Sequence, residues 1–360
     1  MGERHSAEHG GIRRRVVAAA GVAALAAVGA PLMGLAPAGA APRAYSGSDG
    51  RIAYVHRGDI FSVEFKPIKP YAFSRRRLTW AGHASGPRWS PSGTRLAYLY
   101  RGDLWIMNAN GSRKSQLTAA APAFTDSRPT WSPNGRYLAF VKTRRHRSYG
   151  YLIRYDTVRH QFTSFTATAN GHLTAVPALP LPVAWTWALN AAGHRESLIA
   201  FDGAGPLCPK PYRYCLDALG FAHQNQYASG TVSSELSSTA VRLTDPDWNA
   251  VSPTSRNPSF EINLLTSVRD CSTSPCTAGL SLTIGGAVQQ IPGTPAYDGV
   301  FAPSATPTAS GGFIAFVQNL ATGGSEISLA QIPFILNDWR PIPLTTGSEP
   351  DWQPVAPFPG

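Results

Sequence analysis

Residues 89–118 read WSPSGTRLAYLYRGDLWIMNANGSRKSQLT, and residues 131–141 read WSPNGRYLAFV. The two stretches begin alike, and their shared features decide the fold. Ser90-Pro91-Ser92-Gly93 and Ser132-Pro133-Asn134-Gly135 each suit a type I turn, with Ser first, Pro presetting φ at the second position and Gly last. Trp89 to Ala97 and Trp131 to Ala139 are equally spaced, so each turn returns the chain in the same register. Leu96, Tyr98 and Tyr100 alternate with Arg95, Ala97 and Leu99 in a run rich in β-formers. Arg101-Gly102-Asp103 turns the chain into a third strand, Leu104-Trp105-Ile106-Met107. Asn110-Gly111 is a strong hairpin signal, and Ser115-Gln116-Leu117-Thr118 reads as a fourth strand. One unit is therefore four antiparallel strands, the blade of a propeller.

The unit recurs. Pro-x-Trp stands at Pro87-Arg88-Trp89, Pro129-Thr130-Trp131, Pro246-Asp247-Trp248 and Pro350-Asp351-Trp352. Leu-Thr precedes each copy, at Leu78-Thr79, Leu117-Thr118, Leu243-Thr244 and Leu344-Thr345. The tryptophans lie 42, 117 and 104 residues apart, one unit and then twice two longer ones. The first copy, Gly50-Arg51-Ile52-Ala53-Tyr54-Val55, matches a second strand, while Glu349–Pro354 matches a first strand with nothing after it. The C-terminus is thus expected to supply the innermost strand of the first blade, which closes the ring and removes open edges.

The WSPxG, LAY or LAF, DLWIMNANGS and QLT elements resemble the WD-like repeat of the TolB-type β-propeller, tightly over 86–140, recognisably at Gly50–Thr79 and Gly311–Pro354, and weakly between 161 and 299. The expectation is an all-β, six-bladed β-propeller of four-stranded antiparallel blades over residues 50–355, after a linker at 42–49 and before a tail at 356–360. Blade four has Trp185 or Trp187 in place of the motif Trp and Leu198–Phe201 as second strand; blade five has Phe260–Leu265 and blade six Phe313–Val317 in that role. Seven blades is the alternative if Leu207–Ala240, read as an insertion, holds one. In the family the channel mouth usually meets ligands and partner peptides. The α/β domain that precedes the TolB propeller, and the hydrolase domain of prolyl-oligopeptidase relatives, have no counterpart in this reading.

The N-terminal stretch reads as an address. Arg13-Arg14-Arg15, an apolar run from Val16 to Leu35 and Ala38-Gly39-Ala40 make residues 1–41 a cleavable signal peptide, with a retained anchor the alternative. The protein is expected in the cell envelope or outside the cell, without stable membrane insertion once the leader is cut. Hydrophobic residues at 43% exclude a disordered chain. The formal net charge of +11 favours anionic surfaces such as wall polymers; export argues against nucleic acid. The cysteines Cys208, Cys215, Cys271 and Cys276 all follow the leader, and their even number suggests disulfides. Local pairing, Cys208–Cys215 and Cys271–Cys276, is the favoured one of three arrangements, and neither spacing suits zinc.

Each candidate site has a plainer reading beside it. The x residues of Pro-x-Trp, namely Arg88, Thr130, Asp247 and Asp351, start innermost strands and could gather at the channel mouth, with Asp247 and Asp351 holding a cation. The plainer reading, preferred, is strand caps or an Arg–Asp pair. Lys142, Arg144, Arg145 and Arg147, with Tyr149 and Tyr151 behind them, could bind anions or form a solvated loop, the latter preferred. Arg57-Gly58-Asp59 and Arg101-Gly102-Asp103 read as turns rather than adhesion motifs. The motif tryptophans are expected to wedge between blades. No P-loop, H-E-x-x-H or nucleophile elbow occurs. A monomeric binding module for an envelope protein, a peptide or an anionic wall polymer, with no cofactor, follows from this reading; the alternative is a secreted carbohydrate lyase or hydrolase working at the channel mouth, its metal unknown.

Overall fold

In the computed structural model of the chain, the quoted stretch forms strands β4 (Ala84–Trp89), β5 (Arg95–Tyr100), β6 (Asp103–Asn108) and β7 (Ser115–Gln116), paired in that order. The structure describes residues 49–65, 72–119, 123–169, 172–189, 195–204, 214–222, 229–233, 241–248, 263–271, 274–284, 287–291, 296–302, 313–331 and 341–354. The chain separates into two units, Met1–Ala41 and Pro42–Gly360, and all described residues lie in the second. Every regular element among them is a β-strand.

The WSPxG turn has a specific wiring. Gly93 N–H donates to Ser90 O at 2.8 Å, and Arg95 N–H donates to Ser90 Oγ at 3.1 Å. Ser132 repeats both bonds with Gly135 and Tyr137, each at 2.8 Å. The serine thus turns the chain with its carbonyl and locks the return strand with its hydroxyl. Gly93 has φ +66°, and a Cβ there would stand 1.9 Å from Pro354 O, so only glycine fits.

Four sheets of four antiparallel strands stand separately. The first is β28 (Ser348–Pro354), β1 (Asp49–His56), β2 (Asp59–Phe65) and β3 (Ala72–Arg77) in that order. Here the C-terminal strand pairs with the first described strand, Trp352 opposite Ile52 and Asp351 opposite Ala53. The second is the β4–β7 sheet. Another holds β20 (Val241–Trp248), β21 (Asn263–Asp270), β22 (Thr277–Ile284) and β23 (Ala287–Gln290). The last holds β24 (Ala296–Phe301), β25 (Phe313–Asn319), β26 (Ser325–Gln331) and β27 (Ile342–Thr346).

The strands expected to form blades three and four differ from two separate sheets. They include β9 (Thr130–Trp131), β10 (Tyr137–Arg144), β11 (Gly150–Asp156) and β12 (Gln161–Ser164). They also include β16 (Ala184–Leu189), β17 (Arg195–Ala204), β18 (Tyr214–Ala222) and β19 (Ser229–Ser233). The two-residue β15 (Pro177–Ala178) pairs with both β11 and β17. With β8 (Phe124–Asp126), β13 (Thr166–Ala169) and β14 (His172–Ala175), everything joins one twelve-stranded sheet.

Several borders move. The stretch Leu207–Ala240 is no insertion, because it supplies β18 and β19 to the sheet of β17. Among its described residues no separate sheet forms. Leu243-Thr244 lies inside β20, the first strand of its sheet, rather than closing the preceding unit. The second strand expected at Phe260–Leu265 is β21, beginning at Asn263; Phe260, Glu261 and Ile262 lie outside the described residues.

Strand faces are buried on both sides. Leu96, Ala97 and Tyr98 in succession are all buried, which requires a neighbour on each face. Ala53, Ile60 and Leu78 of the first sheet share a core with Trp89, Leu96 and Met107 of the second. Ala97 and Leu104 share another with Trp131, Leu138 and Phe140. Ala139 and Val141 pack with Ile199 and Phe201, and Ala200 with Leu243 and Leu264. Leu265 and Leu280, Ile314 and Phe316, and Ile52 and Trp352 form the largest core. Sheet therefore packs on sheet throughout, in a propeller-like, all-β arrangement.

Candidate functional site

The first strands of the sheets carry a shared irregularity. In β4, β20 and β24 the register slips between Ser85 and Arg88, Thr244 and Asp247, and Tyr297 and Val300. The displaced residue has positive φ each time: Gly86 at 58°, Asp245 at 50° and Asp298 at 52°. Glu349 of β28 does the same at 53°, beside its own slip. Bulges of this kind re-aim side chains, and left-handed non-glycine residues carry strain of about 1 kcal/mol or more. In three of these strands the next residue is proline, which cannot donate to the ladder and so suits a bulge.

The bulges bring distant residues together. Arg88 Nη1 lies 2.8 Å from Asp351 Oδ1, and Trp89 N–H donates to Asp351 Oδ2 at 2.5 Å. Arg128, the residue before Pro129, donates through both terminal nitrogens to the Asp298 carboxylate, Nη2 to Oδ2 at 3.0 Å. Its Nη2 also meets Glu349 Oε1 at 3.3 Å. Glu349 Oε2 accepts from Gly86 N–H at 2.5 Å. Asp247 Oδ2 accepts from Phe301 N–H at 2.9 Å. Asp351 and Asp247 thus do the same work: each ties its own first strand to the backbone of the next sheet's first strand.

Carboxyls outnumber guanidiniums here. Among the described residues, Arg88 and Arg128 are the guanidiniums that act on Asp245, Asp247, Asp298, Glu349 and Asp351. Burial pushes the Asp247 carboxyl up to about 7; Arg88 and the Phe301 amide oppose this, and Asp351 and Asp298 add to it. Burial also raises Asp245 and Asp351. Burial works against the Arg128 charge, yet Asp298 and Glu349 outweigh it and hold the proton more tightly. Asp245, Asp247 and Asp351 lie deep in the protein but keep part of their surface open, Glu349 is more open, and Arg88 and Asp298 are closed off.

Of the four x residues, Arg88 and Asp351 are in contact, and Asp247 is within electrostatic reach of both. Thr130 sits opposite Ala139 in the β9–β10 ladder and shares no hydrogen bond with the other three among the described residues. Asp351 and Asp247 are engaged with backbone N–H groups, and among the described residues no three His, Cys, Asp or Glu are disposed to hold a metal ion. The Arg–Asp pair is realised for Arg88 and Asp351. Sequence reasoning missed Arg128, Asp245, Asp298 and Glu349. The signal for three of them was the residue preceding Pro-x-Trp, charged in three of four copies. Asp298 precedes Gly299-Val300-Phe301, where neither Pro nor Trp marks the position.

The tryptophans wedge between sheets. Trp131 Nε1 donates to Arg88 O at 3.0 Å, and Trp248 Nε1 to Ala184 O at 3.2 Å. By this equivalence Ala184-Trp185 is the x-Trp pair of the β16 strand, which selects Trp185 over Trp187.

The remaining candidates have definite places. Arg57-Gly58 and Arg101-Gly102 are two-residue hairpin turns with both φ positive, closed by the pairs His56–Asp59 and Tyr100–Asp103. Asp59 is buried and accepts from Arg77 Nη2 at 2.6 Å, Thr79 Oγ1 at 3.0 Å and Gly82 N–H at 3.1 Å, so it is not offered to a receptor. Burial alone would raise its pKa, but these donors outweigh it and lower it. Lys142 belongs to β10 rather than to a loop, and its Nζ pairs with Asp126 Oδ1 at 3.1 Å. Arg144, Arg145 and Arg147 are exposed, as is Tyr149 beside Tyr151. Cys271 and Cys276 form a disulfide across the β21–β22 turn. Cys208 and the side chain of Cys215 lie outside the described residues, as does the whole 1–41 leader.

Small antiparallel sheets packed face to face, with the C-terminal strand in the first sheet, define a TolB-like β-propeller fold. Solved structures agree. TolB from Acinetobacter baumannii superposes with a TM-score of 0.57 at 13% identity, over 86% of this chain and 67% of that one. A TolB-type protein from Agrobacterium tumefaciens gives 0.50 at 14% identity, over 84% and 92%. A chain of a nidogen–laminin complex gives 0.53 at 6% identity, over 85% and 98%. No protein-family profile and no curated protein sequence matches the chain.

Proposed function

We propose that the chain is an exported six-bladed propeller that binds a protein or peptide partner through a cationic group presented to its acid-rich channel mouth. Six blades are supported by the strand orders β9-β10-β11-β12 and β16-β17-β18-β19 within the large sheet, beside the four separate sheets. The five cores described above follow one another around such a ring, and the largest joins the last sheets to the first. Export rests on the basic, apolar and small-x-small order of residues 1–41. Among the described residues no helix is long and apolar enough to cross a membrane.

One observation carries the binding reading. Five carboxyls from three sheets converge on two arginines, and several stay partly open although deep in the protein. A Lys or Arg side chain entering there would neutralise the excess and relieve the cost that raises the Asp247 pKa. The lyase or hydrolase reading is favoured by no specific observation among the described residues.

The test is selection from a displayed peptide library on the full mature chain. Enriched peptides should carry Lys or Arg at a shared position. Their affinity should fall with salt, and with Asp247→Asn, which keeps an acceptor for Phe301 N–H. Selection without a basic residue, or affinity indifferent to Asp247→Asn, would sink the proposal.

A further inference from the structure

A second set of charged groups lies on the turns, beyond the first-strand cluster of Arg88, Arg128 and the five carboxyls. The turns between second and third strands are bonded to the segments that enter the first strands of their own sheet and of the next one, and together they make one rim. Ala84 N–H donates to Gly58 O at 2.7 Å and Arg101 N–H to His83 O at 3.1 Å. Asp126 N–H donates to Gly102 O at 3.1 Å, and Arg145 N–H to Ala123 O at 2.7 Å. Four backbone bonds thus run the rim continuously across the first, second and β10–β11 sheets.

The charges on this rim are sorted. Arg57, Arg101, Arg144, Arg145 and Arg147 are exposed. The acids beside them are turned inward. Asp59 is held by Arg77 and Thr79, and Asp126 by Lys142 and by Thr118 Oγ1 at 2.7 Å. Asp103 is partly buried and accepts from Gln116 Nε2 at 3.0 Å. The threonines are those of the repeated Leu-Thr. Each also accepts a strand N–H, from Ile60 at 2.9 Å and from Leu104 at 2.7 Å. The device that withdraws an acid is therefore built into the repeat, and among the described residues no ion pair opposes Arg57, Arg101, Arg144, Arg145 or Arg147.

The arginines sit where they cost something. Arg57 at φ 52° and Arg101 at φ 55° occupy the first position of a turn that asparagine or glycine takes more easily. The same unfavourable choice is made in two sheets, and an outlier that recurs points to use. Exposed aromatics accompany the arginines: Tyr149 is 44% exposed and Tyr151 47%, and Trp80, which follows the buried Thr79, is 66% exposed with Lys114 Nζ 5.3 Å from its ring centre. The two tyrosine rings lie 6.5 Å apart, edge to face.

We propose that this rim binds a linear anionic polysaccharide, with the arginines meeting its carboxylates or phosphates and Trp80, Tyr149 and Tyr151 packing on its sugar rings. Guanidinium forks match both anions, and flat aromatic faces suit the apolar faces of sugars. A bilayer surface calls for the reverse order, with aromatics at the tips and cations behind. Here the arginines share the turn tips with Tyr149, and Tyr151 stands behind them on β11, so the cations are not set behind the aromatics.

The experiment uses the mature full chain and alginate as the carboxylated polysaccharide. Poly-L-glutamate serves as a charge-only control, and phosphatidylglycerol vesicles serve as a membrane. Alginate should bind, and Arg101→Ser with Arg145→Ser and Arg147→Ser should weaken it about tenfold. Trp80→Ala with Tyr149→Ala should weaken alginate several-fold and leave poly-L-glutamate unchanged. All five positions are exposed, so the melting temperature should hold within about 2 °C. Four results would each overturn the proposal. These are no alginate binding, alginate binding indifferent to the arginine variant, equal insensitivity of both polymers to the aromatic variant, and retention on vesicles without retention of alginate. Asp247→Asn should leave alginate binding intact, which separates this surface from the channel-mouth reading.

Discussion

Asp247→Asn should make the protein more stable in neutral buffer, against the usual direction of a core substitution. The Asp247 carboxyl is raised to about 7 in the fold, whereas an unfolded aspartate titrates near 3.9. Between these values the native state holds a proton that the unfolded state has lost, so stability falls as pH rises from about 4 to about 7. The full penalty above pH 7 is at most about 4 kcal/mol, at roughly 1.36 kcal/mol per pH unit. Asparagine carries no charge and keeps the acceptor for Phe301 N–H. The variant should therefore exceed the wild type by up to about 4 kcal/mol at pH 8, by less than half of that at pH 5 and by little at pH 4. For a chain of this size that is a rise in Tm of roughly 5–10 °C at pH 8. Asp245 and Asp351 are raised in the same direction, so the wild-type profile alone mixes three groups, and the difference between the two proteins isolates one. Thermal melts of both from pH 4 to pH 8 give the answer. A difference that does not change with pH, or a variant less stable at pH 8, would refute the reasoning.

Two further outcomes follow from the joint between β28 and β4. Arg88→Met should cost about 3–5 kcal/mol in urea unfolding at neutral pH, because the Asp351 carboxylate then stays buried without its cation; adding Asp351→Asn should recover most of that loss, and no recovery would mean the pair is not what joins the strands. Gly93→Ala should destabilise by more than about 1 kcal/mol, since alanine there is strained at φ +66° and its Cβ would collide with Pro354 O; limited proteolysis should then release the C-terminal strand first, and a variant as resistant as the parent would remove the case for a fixed contact between that turn and that strand.

The β4–β7 sheet was readable residue by residue because its signals are local. A serine that accepts from the return strand, a glycine with positive φ and a two-residue Arg-Gly turn each act within six residues. The region 161–299 was harder for a physical reason. Its strands β18, β21 and β22 are long, and the segments between them carry no WSPxG turn to mark a border. The two-residue β15 has no periodicity of its own; it is a strand only because Gly150-Tyr151 and Gly203 present free edges to it.

Repeat phase by itself determined the blade as the unit, the strand order within it and the pairing of the last strand with the first, since all three follow from where turn residues fall. It also marked Arg88, Asp247 and Asp351 as equivalent positions. Only the tertiary structure decided what those positions do. Arg88 and Asp351 are 263 residues apart, and Arg128 and Asp298 are 170 apart, so their pairing depends on how bulged strands of separate sheets meet. The inward turn of Asp59 and Asp126 was equally hidden, because a sequence counts charges and cannot say which are solvated. Charge pairing and burial act through space over a few ångströms, whereas turn chemistry acts along the chain.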